Sequence, residues 1–162
     1  MARRRQISVI GKGEPDDDLA PLAEEVGRRL AQAGVVVVCG GRGGVMHAAS
    51  TGARESGGDV IGILPGTDPG DASPGVTHVV STGIGHARNL AVVASGDAVI
   101  AIGGEWGTLA EIGFARRLGR PVVALRSWSV DGAGAMSGGP GIEVAPDPAA
   151  AVEMALRAAS AP

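Results

Sequence analysis

Three glycine clusters carry the chemical signal of this chain: Gly11-Lys12-Gly13, Gly40-Gly41-Arg42-Gly43-Gly44 and Gly103-Gly104-Glu105-Trp106-Gly107. Each follows a short apolar run. Backbone without side chains lets N–H groups approach an anion, so a phosphate is the natural guest. One such cluster reads equally well as a tight turn between strand and helix; three at one edge of a sheet point to a ligand crevice. Other chemistries lack their residues. Lys12 is the sole lysine and sits outside any G-x-x-x-x-G-K-[ST] pattern, which excludes a Walker A loop, and it leaves a Schiff base with pyridoxal phosphate only a turn residue to use. Gly11-x-Gly13 has Asp16 where the dinucleotide fingerprint has its third glycine. No serine stands in G-x-S-x-G, and His47, His78 and His86 show no metal-ligand spacing, so no metal is expected. Cys39, ending an apolar run, reads as a small buried hydrophobe.

To bring these clusters to one edge, the chain must alternate strands and helices. Apolar, β-branched runs predict strands at 6–10, 35–39, 60–64, 77–81, 98–102 and 121–125. Helical patterns fall at 18–33, 45–56, 86–94 and 108–118, with a last, Ala-rich helix at 148–160 whose Val152, Met154 and Leu156 can pack back on the body. Val35-Val36-Val37-Val38 and the run 98–102 are apolar throughout, as central strands buried on both faces are. Asp16-Asp17-Asp18 reads as a helix start, and Thr108 with Glu111 three residues on has the spacing of a capping box. Gly34, Gly57-Gly58 and Gly119 read as helix stops. The expected architecture is α/β: a single Rossmann-like domain over 1–162, with a parallel sheet of six or seven strands and helices on both faces.

Composition narrows the function further. With 44% hydrophobic and 19% charged residues the chain is globular, and one cysteine excludes a disulfide scaffold. Three aromatic residues and a net charge of -3 offer no stacking platform on a basic groove, so a nucleic-acid polymer is not an expected partner. Arg3-Arg4-Arg5 lacks the apolar stretch of a signal peptide and reads as a solvated basic tail; no span is long enough for a membrane, and a cytoplasmic location is expected. Residues 127–141, rich in glycine and serine, read as a loop or flap.

Gly85-His86-Ala87-Arg88-Asn89, followed by Gly103-Gly104-Glu105-Trp106-Gly107-Thr108-Leu109-Ala110-Glu111, resembles the LOG-like Rossmann superfamily. So do Gly40-Gly41-x-Gly43-Gly44-Val45-Met46 and Gly58-x-Val60-x-Gly62-Ile63-Leu64-Pro65, so the likeness spans about residues 6 to 125. That superfamily includes cytokinin-activating phosphoribohydrolases and molybdenum cofactor carrier proteins. The resemblance implies cleavage of the N-glycosidic bond of a nucleoside 5'-monophosphate to free base and ribose 5-phosphate, with Arg88 and Glu111 as the catalytic pair. The alternative that the resemblance implies is a non-catalytic binding or carrier protein for a nucleotide or a molybdopterin cofactor.

In the enzyme reading Arg88 forks onto the phosphate, while Glu111 faces the sugar carbon where positive charge develops. Glu111 can serve as cap, as catalyst, or as both. Gly11, Lys12, Gly40, Gly41, Gly43, Gly44, His86, Asn89, Gly103, Gly104, Gly107 and Thr108 complete the expected phosphate or nucleotide site. The chain departs from the enzymes' Pro-Gly-Gly-x-Gly-Thr motif by placing Glu105 where a glycine belongs, and Asn89 replaces a basic residue. An acid beside a phosphate cradle repels the phosphate unless it turns outward or pairs with an arginine. No further cofactor is called for, the ligand being a small phosphate-bearing molecule, and a homodimer or higher oligomer is implied.

Overall fold

The computed structural model describes residues 3–130 and 141–160. The described strands are β1 (Gln6–Gly11), β2 (Val36–Cys39), β3 (Val60–Leu64), β4 (His78–Ser81), β5 (Ala98–Ile102), β6 (Val122–Leu125) and β7 (Glu143–Val144); the helices are α1 (Ala20–Gln32), α2 (Val45–Glu55), α3 (Arg88–Ser95), α4 (Trp106–Arg117) and α5 (Pro148–Ala159). The strands form one seven-stranded sheet in the order β4-β3-β2-β1-β5-β6-β7, and every pairing is parallel. The chain builds outward from β1 to β4, then returns to pair β5 with the other side of β1. The order therefore reverses between β1 and β5, where diverging loops open a crevice.

Alternation along the strands divides the core. Ile7, Val9, Val37, Ile100 and Ile102 face α1, α2 and α5, whereas Ile10, Val38, Val99 and Ala101 face α3 and α4. Both sides of β1, β2 and β5 are thus covered, which accounts for the unbroken apolar runs of β2 and β5. Ser8, the polar residue of buried β1, donates its hydroxyl to the carbonyl of Val92 at 2.6 Å. The helices α1 and α2 touch backbone to backbone. A Cβ on Gly27 would lie 2.0 Å from the carbonyl oxygen of Ala49, and one on Gly52 would lie 2.0 Å from that of Glu24.

Several expectations are corrected. α4 begins at Trp106 with Glu105 as its N-cap, so Thr108 lies inside the first turn and forms no capping box with Glu111. The glycine pair before Glu105, both at positive φ, turns the chain early, and the helix starts two residues sooner. α1 begins at Ala20 rather than within the aspartates; the Asp16 carboxylate accepts from the N–H groups of Asp18 and Leu19 in a turn that precedes the helix. β7, two exposed residues long, has no apolar run to reveal it. The basic segment is solvent-exposed, as expected, and two of its arginines are also paired: Arg3 with Asp97 and Arg4 with Asp59 at 2.7 Å. Most of the flap expected at 127–141 lies outside the described residues. No described helix is long and apolar enough to cross a membrane.

Candidate active site

β1 and β5 end side by side, Gly11 opposite Ile102. A Cβ on Gly11 would come within 2.2 Å of the Ile102 carbonyl oxygen, so the strand ends can close this tightly only around glycine. Above them lies a cavity of about 150 Å³. The first half of the sheet supplies its floor through Gly11, Lys12, Gly40 and Met46. The opposite wall comes from the start of α3, with His86, Arg88 and Asn89, and from α4, with Gly107, Thr108 and Glu111. A second hollow of about 640 Å³ shares Gly13, Met46, His86 and Arg88 and extends past Arg42, Gly43 and Pro65. Together they suit a ligand with a small charged end and a larger body.

Arg88 is the first residue of α3, and its guanidinium lies over Gly40: a Cβ there would stand 2.6 Å from Nη1 and 2.9 Å from Cζ. Nη1 donates to the side-chain oxygen of Asn89 at 2.6 Å. Asn89, foreseen as a weakened basic position, instead orients the guanidinium. The Nε of Arg88 is buried and has no hydrogen-bond partner among the described residues. Burial lowers the pKa of Arg88 and the nearby Glu111 carboxylate opposes this, so the group stays cationic at neutral pH. A half-buried cation with an unused donor is poised for an anion.

Glu111 stands on α4, with only 7% of its surface exposed. Among the described residues nothing hydrogen-bonds or ion-pairs with its carboxyl. Burial pushes its pKa from the ordinary 4.5 up to about 7, against the pull of Arg88. The carboxyl is thus divided between its two protonation states at neutral pH, a state suited to proton exchange.

The first turn of α4 leaves the N–H groups of Trp106, Gly107 and Thr108 outside the helical ladder, which begins when Leu109 donates to Glu105. In α2 one of the three corresponding groups is taken, because Val45 N–H donates to the Lys12 carbonyl at 2.9 Å. Gly44, with φ 59, caps α2 against the same carbonyl. Gly41, with φ 73, is buried against Leu64 and Gly62. These two expected site glycines shape the loop rather than line the cavity. Gly103 and Gly104 line a separate hollow of about 390 Å³ beyond Glu105, which also reaches Lys12. Glu105 is exposed, forms no ion pair among the described residues, and separates the two spaces. Lys12 is engaged with Asp16 at 3.1 Å, a contact that holds the Asp16 carboxyl below its ordinary pKa. Met46 and Arg42 complete the walls without having been singled out from the sequence; both lie in or beside the second glycine cluster, which was their only signal.

The chain and its fold resemble known proteins. The chain is 33% identical to the molybdenum cofactor binding protein of the phototrophic bacterium Rippkaea orientalis, with a TM-score of 0.89 and coverage of 97% of this chain and 98% of that one. The molybdenum cofactor carrier protein of Chlamydomonas reinhardtii superposes with a TM-score of 0.87 at 32% identity, covering 98% of this chain and 100% of that one. A cytokinin riboside 5'-monophosphate phosphoribohydrolase of Rhodococcoides fascians is 36% identical over 94 residues, which span 56% of this chain and 48% of the enzyme. The SLOG cluster4 family model matches residues 4–149. By that match and by the glycine loops and Arg88–Glu111 wall described above, the chain belongs to the SLOG cluster4 family, a LOG-like branch of Rossmann-type proteins.

Proposed function

We propose that the cleft binds a phosphate-bearing, nucleotide-like small molecule and that the protein holds it as a carrier. The observation that carries this reading is the Arg88 guanidinium laid over Gly40 with a buried, unpartnered Nε at the reversal point of the sheet. The phosphate sits on this fork and on the free N–H groups of the first turn of α4. Retention is supported by likeness over the full chain to proteins described as binding or carrying the molybdenum cofactor, whereas likeness to the phosphoribohydrolase covers about half of that enzyme.

One observation favours a second reading, hydrolysis of the N-glycosidic bond. Glu111 has no capping role and holds a buried carboxyl whose pKa is pushed up to about 7. Protonated, it can donate to a departing base; ionised, it can stabilise a sugar cation or orient water. The experiment is calorimetric titration of the purified protein with adenosine 5'-monophosphate, a pterin phosphate and ribose 5-phosphate, followed by chromatography for free base. Binding lost in Arg88→Ala, with the ligand recovered intact, supports the carrier. Base release that disappears in Glu111→Gln replaces it with the hydrolase. Absence of binding by all three refutes both.

A further inference from the structure

Of the three aromatic residues in the chain, two stand together at the ligand edge of the sheet. The rings of Trp106 and Trp128 lie 5.3 Å apart, tilted by 36°. Trp106, the first residue of α4, keeps 77% of its surface exposed. Water contact on that scale disfavours a large ring unless something else covers it, and here no packing role accounts for it. Trp128 is pinned: its Nε1 donates to the Glu105 carbonyl at 3.2 Å, and the neighbouring Ser127 hydroxyl donates to the Gly103 carbonyl. Just before them, Arg126 adopts a left-handed backbone, φ 51, alone among the described non-glycine residues. Strain of this kind collects at ligand sites, where the surrounding structure enforces it.

Trp128 and Arg126 border a hollow that neighbours the Arg88 cleft, and Trp106 stands exposed against Trp128. A hollow of about 370 Å³ opens against Gly103, Gly104, Arg126 and Trp128. It shares the first three with the 390 Å³ hollow, which is lined by Lys12 and Glu105, and both of those residues also line the Arg88 cavity. Three neighbouring hollows thus lie along the ligand edge, from Arg88 past Glu105 to Trp128.

We propose that Trp106 and Trp128 form an aromatic subsite that takes the flat heterocycle of the ligand, a purine or a pterin, while Arg88 holds the phosphate of the same molecule. This rests on the phosphate reading of the cleft given above. A fused heterocycle offers a face to stack on an indole, and stacking tolerates either ring system. Arg126 supplies a cation at the rim of this subsite, where ring carbonyls and nitrogens need donors.

The test uses a property of the composition. Both tryptophans sit in the subsite and the chain has no tyrosine, so intrinsic fluorescence reports on this place alone. Adenosine 5'-monophosphate and a pterin phosphate are titrated against ribose 5-phosphate and inorganic phosphate, each followed in parallel by calorimetry. The expected result is a change in tryptophan emission with the two heterocyclic ligands, saturating with the calorimetric isotherm, and none with the two phosphates that lack a ring. Trp106→Ala, at an exposed position that leaves the core intact, weakens the heterocyclic ligands by about tenfold and leaves ribose 5-phosphate unchanged. Arg88→Ala weakens all four. Heterocyclic ligands that bind by calorimetry without changing the emission, and equally well to Trp106→Ala, overturn the subsite while the phosphate reading stands. A Trp106→Ala protein that changes only its oligomeric state on a sizing column also overturns it, assigning the surface to contact between copies. Failure of every ligand to bind overturns both readings.

Discussion

Glu111→Gln replaces a buried carboxyl with a neutral group of the same shape, and the consequence for stability can be worked out in advance. In the unfolded chain the carboxyl loses its proton near the ordinary 4.5, whereas burial holds the proton in the folded protein until about 7. Between these values the folded state binds more protons than the unfolded state, so this group's contribution falls as pH rises and is lost once pH passes about 7. A gap of this size corresponds to about 3 kcal/mol when fully developed. Glutamine carries no such penalty. Urea denaturation of the wild type and Glu111→Gln at intervals from pH 5 to pH 8, analysed as two-state transitions, isolates the effect because other titrating groups cancel in the difference. The variant should exceed the wild type by less than ~1 kcal/mol at pH 5 and by about 3 kcal/mol at pH 8. A difference that stays flat across this range, or a variant less stable at pH 8, would show that the ionised carboxylate is well solvated or paired and would remove the basis for assigning it proton chemistry.

Three further outcomes follow from the site. Gly40→Ala places a methyl group 2.6 Å from Arg88 Nη1 and from Met46 Sδ, both movable side-chain ends; the protein should lose about 1–3 kcal/mol of stability yet stay folded by circular dichroism, and calorimetry should find binding of ribose 5-phosphate lost. Glu105→Gln removes an acid from the α4 N-terminus, so calorimetry should show ribose 5-phosphate bound about two- to fivefold more tightly; weaker binding would mean that the carboxylate helps to hold the ligand. Arg126→Gly relieves the left-handed backbone, a gain partly cancelled by the greater freedom of glycine in the unfolded chain, and thermal unfolding should show a change between zero and about 1 kcal/mol in favour of the variant. A clear loss of stability in Arg126→Gly would place the arginine side chain in a structural role.

Much of this arrangement was legible in the sequence because its strongest features are repetitive and local. Runs such as Val35-Val36-Val37-Val38 announce doubly covered strands, and the glycines after β1, β2 and β5 mark the ligand edge. What stayed hidden depends on contacts between distant elements. Thr108 and Glu111 have the spacing of a capping box, yet the preceding glycine pair moves the helix start to Trp106 and frees Glu111 for the cavity. Gly41 and Gly44 look the same as Gly40 in sequence; only folding shows that Gly40 lies under the Arg88 guanidinium while the others pack against β3 and the Lys12 carbonyl. Asn89 looked like a lost charge until its oxygen was seen to accept from Arg88. The tryptophan pair brings together residues of α4 and of the segment after β6, a meeting that no spacing along the chain encodes.

The close crossing of α1 and α2 bears on how such a protein can change its ligand over evolution. Gly27 and Gly52 let the two helix backbones touch, and any side chain there would drive them apart. These helices follow β1 and β2, so their contact fixes the spacing of Gly11-Lys12 and Gly40, the cavity floor. Arg88, Glu111 and Trp106 come instead from α3 and α4 on the opposite face of the sheet. The two faces therefore divide the work: the α1–α2 contact holds the cavity floor rigid, while substitutions in α3 and α4 can retune how the anion and the ring are held above that floor without rebuilding it.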